Sequence, residues 1–292
     1  MTNARTPVAV VTGASSGIGL ETAKALAAEG WRVIAHGRDP ARSAAALEAI
    51  RAEAKAGQGV DMIVADLALM AEAARAAREI AALTDRVDVL VNNAGGAPKA
   101  RVVTAEGNEA TFAGNHLGHF LLTDRLLPLL RAAAAERPAG AVRVINTSSS
   151  GHEATPGLDW NNLQLLENFQ PGLAYCNAKL ANIYFTRELA RRLAADGVVV
   201  HAMHPGIVDS NFAARADDNM RAYLETRKAD ALSPRDGADT LIWLALAAEP
   251  GTTTGGYFHQ RAPMAVSKVA EDDQAARRLW TESEALVARA AA

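Results

Sequence analysis

Thr12-Gly13-Ala14-Ser15-Ser16-Gly17-Ile18-Gly19 is the stretch on which the fold of this chain turns. Before it runs Val8-Ala9-Val10-Val11, apolar and rich in β-branched residues. After it Leu20, Ala23, Leu26 and Ala27 recur at helical spacing. Strand, glycine turn and helix is the order these residues specify. The glycines let the backbone turn sharply and leave no Cβ between chain and ligand. The N–H groups that open the next helix face outward, where the helix dipole favours an anion. A diphosphate bridge answers that description, held by Gly13, Ser15, Ser16, Gly17, Ile18 and Gly19. A turn that is merely tight would use the same glycines, so the rest of the chain must decide.

The composition excludes several classes. The 292 residues carry a net charge of −3 and are 49% hydrophobic, which provides a core but no basic surface for nucleic acid. A single cysteine, Cys176, excludes an internal disulfide framework and suits a reducing cytoplasm. Residues 1–6 form a short polar start without a signal core. No apolar run approaches the ~18 residues of a membrane span. The seven histidines show no metal-ligand spacing, and no metal site is expected.

Strands and helices alternate along the chain. Trp31 to His36 is a second strand, followed by Asp39 as N-cap and Pro40 at the first helical position. Strands follow at Val60 to Val64, Val87 to Val91, Ala141 to Asn146 and Val198 to Met203, with a last one near Gly255 to Phe258. Helices lie between them, including a long one over about 108–136 and another over about 173–195. Residues 211–232 are polar and charged and form a mobile helical flap within a substrate-loop region of about 205–232. The alternation predicts one α/β domain over 1–292, a doubly wound, Rossmann-type parallel sheet with helices on both faces. Ligands of such sheets bind at the carboxyl ends of the strands, where every polar motif of this chain falls.

Tyr175 and Lys179 are four apart on a predicted helix and share a face. A tyrosine near its ordinary pKa of ~10 is a poor acid or base at neutral pH. A neighbouring ammonium favours its phenolate. Ser149, at the end of another strand, can hold a substrate oxygen at the same point. Such a set can pass a proton to or from that oxygen while a hydride moves at carbon. Cys176 should point about 100° away from Tyr175 on the helix.

Taken together, Thr12 to Gly19, Asn92-Asn93-Ala94-Gly95, Ser149, Tyr175-Cys-Asn-Ala-Lys179 and Pro205-Gly206 resemble the short-chain dehydrogenase/reductase superfamily over nearly the whole chain. Asn115-His116-Leu117-Gly118-His119-Phe120, His204-Pro205-Gly206 and Arg278-Leu279-Trp280 resemble its retinol dehydrogenase-like branch, which includes WW-domain oxidoreductases. The resemblance implies Tyr175 as general acid/base. It implies Lys179 as the group that lowers the phenol's pKa and binds the nicotinamide ribose. Ser149 would orient the carbonyl, chosen over Ser148 and Ser150 because it falls three after Asn146. Asn115 would interrupt the long helix and hold a water in a proton relay. Asn93, Ala94 and Gly95 would line the adenosine side, and Asp66 with Leu67 would meet the adenine. Pro205, Gly206, Val208 and Ser210 would cover the nicotinamide.

The second strand ends in Gly37-Arg38, where an NAD enzyme usually has an acid. Glycine leaves room for a 2′-phosphate and arginine can grip it, so NADP(H) is expected over NAD(H). Ser16, where many NADP-using relatives carry a basic residue, and the adjacent Asp39 count against this. Residues 151–172 lengthen the usual interval between the serine and the tyrosine. They could block the helix face through which relatives dimerise, leaving either a monomer or a homodimer. The expectation is a cytoplasmic oxidoreductase that interconverts an alcohol and a carbonyl on an apolar small molecule. Reduction of a conjugated C=C or quinone, and a silent nucleotide-sensing binding protein, are the alternatives. Specificity should reside in Ala97 to Val103, Gly151 to Gly172 and Asn211 to Leu232.

Overall fold

The computed structural model describes residues 5–210 and 216–290. Residues 211–215 of the expected flap lie outside the described residues. Eight strands form one sheet in the order β3-β2-β1-β4-β5-β6-β7-β8. They are β1 (Val8–Val11), β2 (Arg32–Gly37), β3 (Val60–Val64), β4 (Val89–Asn92), β5 (Arg143–Thr147), β6 (Val199–Met203), β7 (Tyr257–His259) and β8 (Ala262–Pro263). Neighbours from β3 through β7 pair in parallel. Fully buried runs such as Val89–Asn92 are what helices on both faces require. The sequence did not indicate β8, which folds back antiparallel on β7. Its turn places Gln260 and Arg261 at φ 48° and 59°, a left-handed pair that glycine usually supplies.

The helices are α1 (Gly17–Ala28), α2 (Pro40–Glu53), α3 (Met70–Leu83), α4 (Ala110–Phe112), α5 (Gly118–Glu136), α6 (Pro171–Leu193), α7 (Asp218–Thr226), α8 (Pro234–Leu246) and α9 (Asp273–Ala290). One apolar core joins Ala9, Val11, Leu26, Val33, Ile145 and Leu241 on the α1/α8 face of the sheet. The other joins Val10, Leu90, Leu122, Leu126, Leu180, Ile183 and Trp280 on the α5/α6/α9 face. The long helix expected over 108–136 is α4 and α5 joined by a π-helical turn at Ala113–Leu117, which contains Asn115, the residue the resemblance implied would interrupt it. Single π turns commonly mark functional positions.

α9 lies on the outer face of α6. Trp280 packs on Phe120 and Phe185 at ring-centroid distances of 4.9 and 5.9 Å, and the Arg192 guanidinium stacks over it at 4.1 Å. Arg278 of α9 covers Trp160 of the 151–172 stretch at 4.6 Å. That stretch is tied into the body: Gln164 accepts from the Glu109 N–H, and Thr155 donates to Asn177 on α6.

β1 lies between β2 and β4, where the strand order reverses. A doubly wound sheet opens its ligand crevice at this switch point. The glycine turn leaves β1 there, and Asn93, Ser149 and His204 follow β4, β5 and β6 along the same edge.

Candidate active site

The glycines of the turn serve different purposes. Gly13 has φ +69°, and a Cβ on it would lie 2.8 Å from Ala94 Cα. A Cβ on Gly19 would lie 2.5 Å from Gly13 O and from Asn93 Nδ2. At these two positions the space without a side chain is filled by the protein itself, not kept for a ligand. Gly17 does face open space, with only Ser210 Cβ at 4.0 Å. Helix α1 begins there without a side-chain cap. By contrast, Asp39 caps α2, Ser233 caps α8, and Glu106 accepts from Met70 N and Ala71 N at the start of α3. The free N–H groups of α1 therefore fit a dinucleotide's diphosphate.

The turn is braced by Thr12, Asn93 and His36, and for none of these did the sequence indicate a bracing role. Thr12 Oγ1 accepts from the N–H groups of Asn93 and Ala94 at 2.8 and 3.0 Å, and Asn93 Nδ2 donates to Thr12 O at 3.0 Å. The Asn93 amide is thus spent on bracing the turn. His36, buried in β2, accepts from Gly13 N at 3.4 Å and donates to Ala65 O at 3.0 Å. Burial lowers its pKa to about 4, so it stays neutral and keeps the acceptor lone pair. Only its position on β2 opposite the turn distinguishes it, and one sequence does not encode that opposition.

At the adenosine end, a Cβ on Gly37 would lie 2.3 Å from Ser43 Oγ and 2.9 Å from Ser15 Cβ. Serines thus crowd the direction a Cβ would take, and a side chain at 37 would have to displace Ser43 and Ser15. Arg38 Nη1 lies 3.6 Å from Asp66 Oδ2, with both side chains over a third exposed. Asp66 also accepts from Ala68 N at 3.0 Å, closing a turn before α3. Leu67 is buried in the core, and its carbonyl lies 2.0 Å from where a Gly118 Cβ would sit.

The reacting end forms where α6 packs over β5 and β6. Lys179 is buried and donates to Thr147 O at 3.2 Å, with its Nζ 5.4 Å from the Tyr175 ring centroid. The Ser149 hydroxyl lies beside the Tyr175 ring, where it pulls the phenol's pKa down, and it accepts from Gly151 N at 3.1 Å. Ser148 faces elsewhere, donating to Lys179 O at 2.7 Å. Burial pushes the phenol up to about 12 against the lowering pull of Ser149, and burial brings the Lys179 ammonium down to about 8. The expected lowering of the phenol by Lys179 does not dominate here; desolvation does. Cys176 is buried and its thiol is pushed up by burial.

Asn115 is turned into this site by the π turn. Its amide donates to Gly96 O at 2.8 Å and Thr111 O at 2.7 Å, and its Oδ1 accepts from Gly96 N at 3.2 Å. Its main-chain carbonyl accepts from His119 Nδ1 at 3.2 Å, and Thr12 Oγ1 meets the other ring nitrogen at 2.9 Å. Gly95 lies against both groups: a Cβ on it would be 2.4 Å from Asn115 Oδ1 and 3.6 Å from Lys179 Nζ. Across the crevice, Gly206 (φ +81°) turns the chain after Pro205. Residues 207–209 pair with Leu232, while Val208 and Ile18 both pack on Gly237 of α8. Among the described residues, no group of acidic, histidine or cysteine side chains has the arrangement of a metal site.

Residues 7–221 match the family model of the short chain dehydrogenases. The chain belongs to the short-chain dehydrogenase/reductase family. It is 37% identical over 287 residues to human retinol dehydrogenase 13, covering 95% of this chain and 83% of the relative. It is 38% identical over 276 residues to mouse retinol dehydrogenase 11, covering 94% and 84%. These relatives place it in the retinol dehydrogenase-like branch. An uncharacterised protein from Mycobacterium paratuberculosis superposes with TM-score 0.74 at 31% identity, over 99% of this chain and 97% of that one. The Pseudomonas aeruginosa RhlG/NADP complex does so at 0.67 and 30%, over 86% and 93%. A Brucella melitensis 3-ketoacyl-(acyl-carrier-protein) reductase complexed with NADH reaches 0.67 at 26% identity, over 86% and 95%. The chain is accordingly an NAD(P)-dependent oxidoreductase acting on CH–OH groups. No helix among the described residues is long and apolar enough to cross a membrane.

Proposed function

We propose that this enzyme is an NADP(H)-dependent oxidoreductase that interconverts an apolar alcohol and its carbonyl, with Tyr175 as general acid/base. One observation carries the reading: the Ser149 hydroxyl and the Lys179 ammonium flank a buried phenol on the sheet edge that also carries the uncapped start of α1. Bound NADP(H) would supply or accept the hydride. Ser16, Gly17 and Ile18 would hold its diphosphate end, and Lys179 with Pro205 to Ser210 would hold the nicotinamide end. Ser149 donates to the substrate oxygen and orients it toward Tyr175. In reduction the phenol, protonated at neutral pH, gives its proton to that oxygen. The replacement proton would then come from the Lys179 ammonium, which water refills, with the Asn115 carbonyl accepting a hydrogen bond from that water and holding it in place.

NADP(H) preference rests on Arg38 and Gly37. The Arg38–Asp66 pair is long and exposed, worth at most ~1 kcal/mol, so the guanidinium is available to a 2′-phosphate. Position 37 carries glycine, not an acid that would select a 2′-hydroxyl. The apolar substrate follows the retinol dehydrogenase relatives. We further read the chain as one catalytic domain, monomeric because α9 and Trp160 cover the α5/α6 face, and cytoplasmic.

The test is NADPH consumption against a panel of aldehydes, ketones and quinones. Tyr175→Phe should lower kcat by ~10²–10⁴-fold while NADPH still binds. Full activity in Tyr175→Phe would remove the proton-transfer assignment. Binding without any turnover by the wild type would favour a nucleotide sensor.

A further inference from the structure

Ser149 opens a short 3-10 turn (Ser150–Ala154) that places His152 beneath it. His152 has no exposed surface. Its Nδ1 lies 2.8 Å from Ser149 O, and its own N–H donates to the same carbonyl at 3.1 Å. Its Nε2 lies 3.1 Å from the backbone nitrogen of Ser267. The partners fix the tautomer. A carbonyl only accepts and a backbone N–H only donates, so the proton is on Nδ1 and the lone pair on Nε2. The ring edge meets Tyr257 at 5.2 Å, and Tyr257 stacks on His204 of the nicotinamide-side turn at 5.8 Å. His152 thereby ties the serine's backbone to a distant C-terminal segment and to the opposite wall of the crevice.

We infer that His152 is a positioning residue for Ser149: its Nδ1–H, held by the Ser267 N–H on the far side of the ring, fixes the serine backbone and so the direction of its hydroxyl. This rests on the reading of Ser149 as the group that orients the substrate carbonyl. Misplacement of a reacting group by about 1 Å costs up to ~10²-fold in rate.

The experiment measures kcat, KM and the NADPH dissociation constant for wild type, Ser149→Ala, His152→Leu, His152→Asn and the Ser149→Ala/His152→Leu pair, with one aldehyde substrate. Leucine fills the volume with no donor. The asparagine amide nitrogen stands near the place of Nδ1 and can still donate to Ser149 O. His152→Leu should lose ~10–100-fold in kcat with NADPH affinity within about twofold. His152→Asn should recover to within about threefold of wild type. In the Ser149→Ala background the leucine should add less than about twofold, because the group it misplaces is already gone.

Wild-type kcat in His152→Leu, no recovery in His152→Asn, or an undiminished effect in the Ser149→Ala background would each overturn the inference. Full activity in Ser149→Ala would instead defeat the underlying role of Ser149, a distinguishable result. Should His152→Leu not fold, Ser267→Pro takes its place. Ser267 has φ −60°, which proline adopts, and the one hydrogen bond removed is that of the N–H to Nε2, because the Ser267 hydroxyl is buried without a partner. A several-fold loss of kcat at unchanged NADPH affinity supports the inference, and wild-type kcat overturns it.

Discussion

Replacing Lys179 with methionine should abolish turnover and yet stabilise the cofactor-free fold. Lys179 is buried, and burial lowers its ammonium from 10.5 to about 8. At pH 7 it is charged in both the folded and unfolded chain, so the full cost of burying the charge falls on the fold. That difference corresponds to ~3 kcal/mol. Losing the Nζ–Thr147 O hydrogen bond, 3.2 Å long, takes back ~1 kcal/mol and leaves a gain of ~2 kcal/mol. For a chain of this length that is about 3 °C in Tm. The sign reverses with pH in a defined window. Above pH 8 the folded lysine sheds its proton while the unfolded one keeps it, so wild-type stability rises until about pH 10.5. The advantage of Lys179→Met should therefore shrink between these values. Thermal melts of both proteins at pH 7 and pH 10, with NADPH oxidation assayed in parallel, read the effect. A variant less stable than wild type at pH 7, or equally advantaged at both pH values, would refute the argument that Lys179 is kept against a burial cost for its chemistry.

Arg38→Asp should reverse the NADP/NAD ratio of kcat/KM, and an unchanged ratio would remove Arg38 from the 2′-phosphate site. Gly37→Ala should destabilise by ~1–3 kcal/mol through contact with Ser43 Oγ and Ser15 Cβ, read as a lower midpoint in urea. Adding Ser43→Ala should restore part of that, since the Ser43 hydroxyl has no hydrogen-bond partner to lose. Light scattering should give a mass near 30.6 kDa, and a dimer would show that α9 does not seal the α5/α6 face.

What the sequence determined by itself is the strand–glycine turn–helix unit, the alternation that makes a parallel sheet, and the motifs at its carboxyl edge. These are local: periodicity, caps such as Asp39, and glycines whose neighbours in sequence define the turn. The pairing of Tyr175 with Lys179 was legible for the same reason, since one helical turn joins them. The tertiary structure decided whatever depends on two distant segments meeting. The resemblance implied that Asn115 interrupts the long helix; that it does so through a π turn, with its amide bonded to the Gly96 backbone, needed the segments around 96 and 115 to meet. Gly37 is enclosed by serines from the glycine turn and α2, which no spacing rule foretells. His36 bonds the backbone of Gly13 and Ala65, His119 the Thr12 hydroxyl and His152 the Ser267 N–H, all far away in the chain, and a lone histidine carries no periodic signal. The ionisation of the phenol and the ammonium was likewise beyond the sequence, because burial sets the larger shift and burial is a property of the packed fold.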